Sequence, residues 1–247
     1  MVGTGTLINI ITVLLGGTAG LLLGERLSKN LQEIVMKGLG LVTLVIGFRM
    51  ALDTQSIFIP MASVALGGLL GEWGKIKTRL DSLGDYLEMG FSRLVSVSST
   101  TEDFTKGFVT ASLVFAVGPM TFLGAIQDGL TGNFKLLAIK SGLDGFAAMI
   151  FAATLGLGVL FSVITLIAYQ GGITLLAFFA RGGIGMEANQ VAESLAVGEL
   201  SATGGILIIG IGLALLEIKD VKVSNFLPAI FLAPAIVLLL SAFGVSL

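Results

Sequence analysis

The sequence predicts an all-α polytopic membrane protein with about eight transmembrane helices of roughly 20 residues each. Three observations predict it. Over 247 residues the chain is 55% hydrophobic and 12% charged, with a mean hydropathy of +1.00; soluble domains carry about 25% charged residues. Apolar runs such as LINIITVLLGGTAGLLLG (Leu7–Gly24) are long enough to cross the hydrocarbon layer as a helix. Glycine is abundant at 35 residues, and several recur four apart, a spacing that lets helices approach closely in lipid.

On this pattern the spans fall at 6–24, 36–52, 57–72, 107–127, 136–155, 159–180, 202–217 and 226–245. The first carries Gly16, Gly20 and Gly24 on one face, a helix-packing stripe. It has no basic leader or small-residue cleavage site and is expected to be a retained span. ERLSKNLQEIV (Glu25–Val35) reads as a cytoplasmic linker helix. The second span ends near Arg49, and the third repeats the packing step with Gly67 and Gly71. Asn9 and Arg49 read as lone polar residues serving packing or snorkelling.

KIKTRLDSLGDYLEMGFSRLV (Lys75–Val95) places Ile76, Leu80, Leu83, Leu87, Phe91 and Leu94 at helical spacing between charges, which predicts an amphipathic interfacial helix. Ser96–Asp103 is the loop and N-cap region before the fourth span. That span is interrupted by Gly118-Pro119 and also carries Thr121, Gln127 and Asp128. Proline has no N–H, so an upstream carbonyl loses its intrahelical partner and becomes available as a polar ligand beside Thr121.

The fifth span opens with KSGLDG, where Lys140 and Asp144 are one turn apart and can pair. Lys140 is long enough to snorkel toward the interface; Asp144 is not, and is the leading candidate for a substrate-, ion- or proton-linked residue. Asp128 and Gln127 are expected at the outer mouth. Tyr169-Gln170-Gly171-Gly172 is expected to break the sixth span. Beyond it Glu187, Gln190 and Glu193 form an acidic-polar stripe, read as a vestibule.

Domain organisation follows from a repeat. LGLVTLVIGF aligns with GGILIIGIGL, so that Gly40 matches Gly205 and Gly47 matches Gly212, and Phe58-Ile59-Pro60 matches Phe226-Leu227-Pro228. Spans one to three thus correspond to spans six to eight. An offset of five spans makes the copies face opposite ways, an inverted-topology repeat. A single transmembrane domain (1–247) would then comprise repeat one (6–72), a cytoplasmic amphipathic linker (73–103), a central helix pair (104–158) and repeat two (159–247). Ten Lys and Arg residues fall on one side against four on the other, which puts both termini outside.

The chain has neither Cys nor His, which removes thiol chemistry, thiolate or imidazole metal sites and histidine proton relays. No Walker A loop, dinucleotide fingerprint or nucleophile elbow occurs. No enzyme activity, cofactor, metal or nucleic-acid partner is expected. The expected function is a secondary transporter or channel-like permease for a small solute or ion, independent of ATP. The candidate path residues are Asp144, Lys140, Asp128, Gln127, Thr121, Pro119 and Gly118. The expected partners are membrane lipid and a second copy of the chain, packed through glycine faces. A scaffold or sensor acting through its amphipathic helix is the alternative. An intramembrane aspartyl protease using Asp128 and Asp144 is a remote one, because the Tyr-Asp and Gly-x-Gly-Asp contexts are missing.

Two stretches carry a resemblance over essentially the whole chain: GPMTFLGAIQDGLTGNFKLLAIKSGLDGFAAMIFAATLGLGVLFS (Gly118–Ser162) and GTLINIITVLLGGTAGLLLGERL near the N-terminus. The chain resembles the YdfK/YqgA-type bacterial integral membrane proteins, domain-of-unknown-function family 554. The resemblance implies a transport-type protein of the bacterial cytoplasmic (inner) membrane whose signature is the central pair of spans. It supplies no substrate and no catalytic residue.

Overall fold

The computed structural model describes residues 1–24, 26, 28–80, 82, 101–116, 119–180, 195–219 and 221–243. Among them every regular element is helical. The elements are α1 (Thr4–Gly24), α2 (Lys29–Ala51), α3 (Phe58–Trp73), α4 (Thr101–Ala116), α5 (Pro119–Thr131), α6 (Lys135–Leu155) and α7 (Gly158–Leu166). A π-helical turn (Ile167–Gly171), α8 (Gly172–Ala180), α9 (Leu195–Leu215), a 3-10 turn (Val223–Phe226) and α10 (Pro228–Ala242) complete them.

Six helical stretches are long and apolar enough to cross a membrane: Thr4–Gly24, Glu33–Ala51, Lys135–Leu155, Gly158–Phe179, Leu195–Leu215 and Val223–Ala242. α3 is apolar but shorter. α4 and α5 meet the same test only as a pair, bent by 61°, so the fourth expected span is two helices. The segment expected as a separate linker helix runs on into α2 from Lys29. α9 begins seven residues before the expected start at 202, because Glu199 and Ser201 are buried inside the protein and not held in a polar loop. Of the amphipathic segment 75–95, only 75–80 and 82 belong to the described residues.

The chain divides into two compact units. The first comprises Met1–Met36, Asp81–Ala116 and Met120–Ala188. Here α1 runs parallel to α6. A Cβ placed on Gly16 or Gly20 would fall on the carbonyl oxygens of Gly145 and Met149, and one on Gly24 would lie 2.6 Å from that of Ala153. Lipid supplies no hydrophobic drive between helices, so close backbone packing must hold them. The opposite face of α1 exposes Leu7, Ile11, Leu15 and Leu22, as hydrocarbon contact requires. α4 packs on α7, where Phe104 meets Phe161 edge to face at 5.1 Å.

The second unit comprises Lys37–Leu80, Val117–Pro119 and Asn189–Leu247. α9 is its centre and exposes no large apolar side chain. α2 crosses it antiparallel. A Cβ on Gly47 would lie 2.8 Å from the Gly205 carbonyl oxygen, and one on Gly212 would lie 3.1 Å from that of Gly40. α3 lies antiparallel to α10 and the 3-10 turn, with Gly67 against Ala229 and Gly71 against Asn225. The glycine faces expected to serve a homodimer are therefore taken up inside the chain.

The connection between α2 and α3 is tied by Glu199, fully buried near the start of α9. Its carboxylate accepts the Gln55 and Ser56 N–H groups at 2.7 and 3.1 Å and the Thr54 hydroxyl at 2.7 Å. An anion there satisfies the backbone donors of the turn that leads into α3.

Two glycine substitutions separate packing from propensity. Gly20→Val, which drives a branched side chain into the α6 backbone, is expected to lower stability by about 1–3 kcal/mol or more. A Cβ on Gly38 meets nothing within 4 Å, so Gly38→Ala is expected to be neutral or to stabilise α2 by roughly 0.5–1 kcal/mol. Thermal unfolding of the two variants in detergent checks this; equal midpoints would contradict the assigned packing.

Candidate functional site

The site in the first unit starts from a missing hydrogen. In a continuous helix the N–H of residue 119 would donate to the carbonyl of Phe115, but residue 119 is proline. Pro119 is the first residue of α5, and Gly118 lies outside the described residues. The Phe115 carbonyl instead accepts from the Lys140 ammonium at 2.8 Å and from the Thr121 hydroxyl at 3.1 Å. The carbonyl that the sequence left as a polar ligand is thus held by the protein's own cation.

Lys140 does not snorkel. It forms an ion pair with Asp144 one turn along α6, and both side chains are buried. Asp144 is the tenth residue of this 21-residue helix, about 14 Å along it at 1.5 Å per residue, so the pair sits near the helix midpoint. A charge at that depth is tolerated where it is paired and hydrogen-bonded.

Asn9 of α1 and Gln170 complete the cluster. The Asn9 Nδ2 donates to Asp144 Oδ2 at 2.9 Å and to Gln170 Oε1 at 3.0 Å. Gln170 Nε2 donates to Thr6 Oγ1 at 3.1 Å, and the Thr174 hydroxyl donates to the Gln170 carbonyl at 3.0 Å. The segment expected to break its span is a π-helical turn continuous with α7 and α8. Such a turn inserts one residue into the helical ladder and recurs at functional sites. Here it carries Gln170, fully buried, to Asn9. The Asn9 amide orientation is set by the carboxylate, which can accept only from its NH₂ group. That leaves Asn9 Oδ1 buried without a hydrogen-bond partner among the described residues.

Asp128 caps the start of α1. Fully buried on α5, it accepts the N–H groups of Gly3 at 3.2 Å and Gly5 at 2.9 Å, closing the N-terminus of α1. Gln127 beside it is half-buried. Asp128 and Asp144 hold different partners, whereas a proton-sharing dyad needs the two carboxylates together. Glu187, Gln190 and Glu193 lie outside the described residues. Among the described residues no group of three Asp, Glu, Cys or His side chains is placed to hold a metal ion.

Sequence reasoning undervalued Asn9 and did not single out Thr6, Gln170, Thr174 or Glu199. A signal existed in polar residues sharing a face of an apolar span: Thr6 with Asn9, three apart, and Gln170 with Thr174, four apart. What was not legible was that the two faces meet.

The chain matches the family described as "Protein of unknown function (DUF554)" over residues 4–238. It is 28% identical over 244 residues to the uncharacterized membrane protein YdfK of Bacillus subtilis (strain 168), covering 97% of this chain and 98% of that protein. It is 31% identical over 229 residues to the uncharacterized protein YqgA of Escherichia coli (strain K12), covering 93% of this chain and 94% of that protein. No solved structure matches.

The ion pair is expected to behave as one unit. Lys140→Met strands a buried carboxylate and should cost about 3–5 kcal/mol, most of which Lys140→Met with Asp144→Leu should restore. Unfolding midpoints of the single and double variants in detergent check it; equal losses would show that the pair is not coupled.

Proposed function

This chain belongs to the DUF554 family of proteins of unknown function, and we propose that it is a secondary transporter or channel-like permease moving a small solute or ion without ATP. One observation carries the reading. A charged pair near the midpoint of a membrane-length helix is hydrogen-bonded at once to a broken helix and, through Asn9, to a π-helical turn. Charges are expensive in hydrocarbon and are found there chiefly along substrate, ion or proton pathways. Interrupted helices at membrane depth are a recurrent way to build such binding sites. On this reading Asp144, Lys140, Asn9, Gln170 and Thr121 form the central site, and Pro119 creates it by freeing the Phe115 carbonyl.

The inverted repeat supports the same reading. Exchanging the two copies turns Gly40 into Gly205 and Gly47 into Gly212. The contact of Gly47 with Gly205 then becomes that of Gly212 with Gly40, which is also present. The α2–α9 crossing therefore maps onto itself, as a pseudo-two-fold axis in the membrane plane demands. Each compact unit also holds one part of each copy: α1 with α7 and α8 in the first, α3 and α2 from Lys37 onward with α9 and α10 in the second. On this reading α3 counts as one span and the bent α4–α5 pair as another, for eight spans in the inner membrane with both termini outside. The scaffold alternative rests on 75–95, most of which lies outside the described residues, and no observation favours it.

The test is a thermal-shift screen of purified protein against inorganic ions and small metabolites, since a ligand of the folded state raises its midpoint. The ligand found is then followed into proteoliposomes. Asp144→Asn is expected to cut flux at least tenfold and Pro119→Ala to reduce it. Unchanged rates in both variants would remove the site assignment.

A further inference from the structure

Three further oxygens belong to residues tied into the Lys140–Asp144 pair. The Phe115 carbonyl lies 2.8 Å away. Thr121 Oγ1 is bonded to that same carbonyl at 3.1 Å. Asn9 Oδ1 belongs to an amide fixed on Asp144 Oδ2, and it is a fully buried acceptor with no donor among the described residues. This is an all-oxygen set carrying one negative charge, the donor chemistry of a hard cation. An unpartnered acceptor inside a protein costs free energy, and this one belongs to the amide that holds Asp144, so a cation bound beside that carboxylate could supply the missing contact. Charge decides the valence. With Lys140 protonated the cluster is neutral; a bound monovalent cation keeps it neutral only if Lys140 has lost its proton, whereas a divalent ion would leave a net positive charge in hydrocarbon.

We propose that the Lys140 ammonium is the resident occupant of a monovalent-cation site, and that a cation of the sodium class replaces it among Asp144, Phe115, Asn9 and Thr121. This rests on the reading of the cluster as the transport site. The step balances: one metal cation enters from water, the Lys140 ammonium becomes the neutral amine, and one proton leaves to water. Binding is therefore an exchange, and coupled transport through it is electroneutral. The other ionisable groups on the surrounding elements are accounted for. α1 and α8 contribute none, and neither does α7. α5 contributes Asp128, committed to the Gly3 and Gly5 amides, and the π-helical turn contributes Tyr169. On α6 the remaining charge is Lys135 at its first residue, and on α4 the charges are Glu102, Asp103 and Lys106, all in its first two turns.

The experiment adds NaCl, with choline chloride at equal ionic strength as control, to weakly buffered full-length protein in detergent, and follows proton release with a pH dye. About one proton per chain is expected with sodium and none with choline. Apparent sodium affinity should rise about tenfold per unit of pH while Lys140 remains the group that must deprotonate. Lys140→Met should bind sodium without proton release and independently of pH. If that variant is unstable, its thermal midpoint should rise with sodium and not with choline. Asp144→Asn should show neither response. Proton release that survives in Asp144→Asn, or sodium affinity independent of pH in the unsubstituted protein, would overturn the proposal. Solute flux that needs Asp144 but is indifferent to sodium would sink this inference and leave the transport reading standing. Sodium-driven proton release from a protein with no flux in vesicles would do the reverse.

Discussion

The buried charged cluster of the first unit follows from the Phe115 carbonyl. A backbone acceptor in hydrocarbon has no water to turn to, so the proline that removes its donor obliges some other group to supply one. The Lys140 ammonium does so, and an ammonium at that depth needs its own counter-charge, which Asp144 provides. The carboxylate in turn draws in the Asn9 amide, and Asn9 holds Gln170. One missing N–H thus propagates through four helical elements, each link forced by the cost of leaving the previous one open.

That chain of hydrogen bonds depends on how closely the helices approach. Asn9 reaches Asp144 because α1 and α6 touch along Gly16, Gly20 and Gly145, where even a methyl group would strike backbone. Glycine here is not a source of flexibility; it sets the distance over which short polar side chains can reach. In the second unit the same device serves packing, and the polar task there, tying down the turn before α3, falls to the Glu199 carboxylate. Asp128 does the corresponding work at the start of α1. Both acids answer the unsatisfied donors at or just before a helix start, which explains buried carboxylates without invoking a pathway at those two positions.

How much of this was legible in the sequence depends on how local each feature is. The apolar runs, the glycine stripes, the freed carbonyl at Pro119 and the one-turn spacing of Lys140 and Asp144 are all properties of neighbouring residues. The role of Asn9 was not legible, because its partners Asp144 and Gln170 are 135 and 161 residues away. For the same reason the sequence did not show what Asp128 binds. In sequence it ends an apolar run and reads as interfacial, but its partner is an amide 123 residues distant. For Lys140 the sequence allowed both pairing with Asp144 and snorkelling to the interface, because the inward position depends on the Phe115 carbonyl, 25 residues away.

Sequence alone determined that this chain is a helical membrane protein and roughly where its apolar helices lie, because crossing hydrocarbon imposes length, apolarity and internal backbone pairing on each span separately. It also determined that the span around Pro119 would be interrupted, since a tertiary amide has no proton to give. Only the tertiary structure decided which polar residues share a cluster. Periodicity specifies the face of a helix but carries no information about which other face it meets, and that choice is made by the close packing of backbones along glycine.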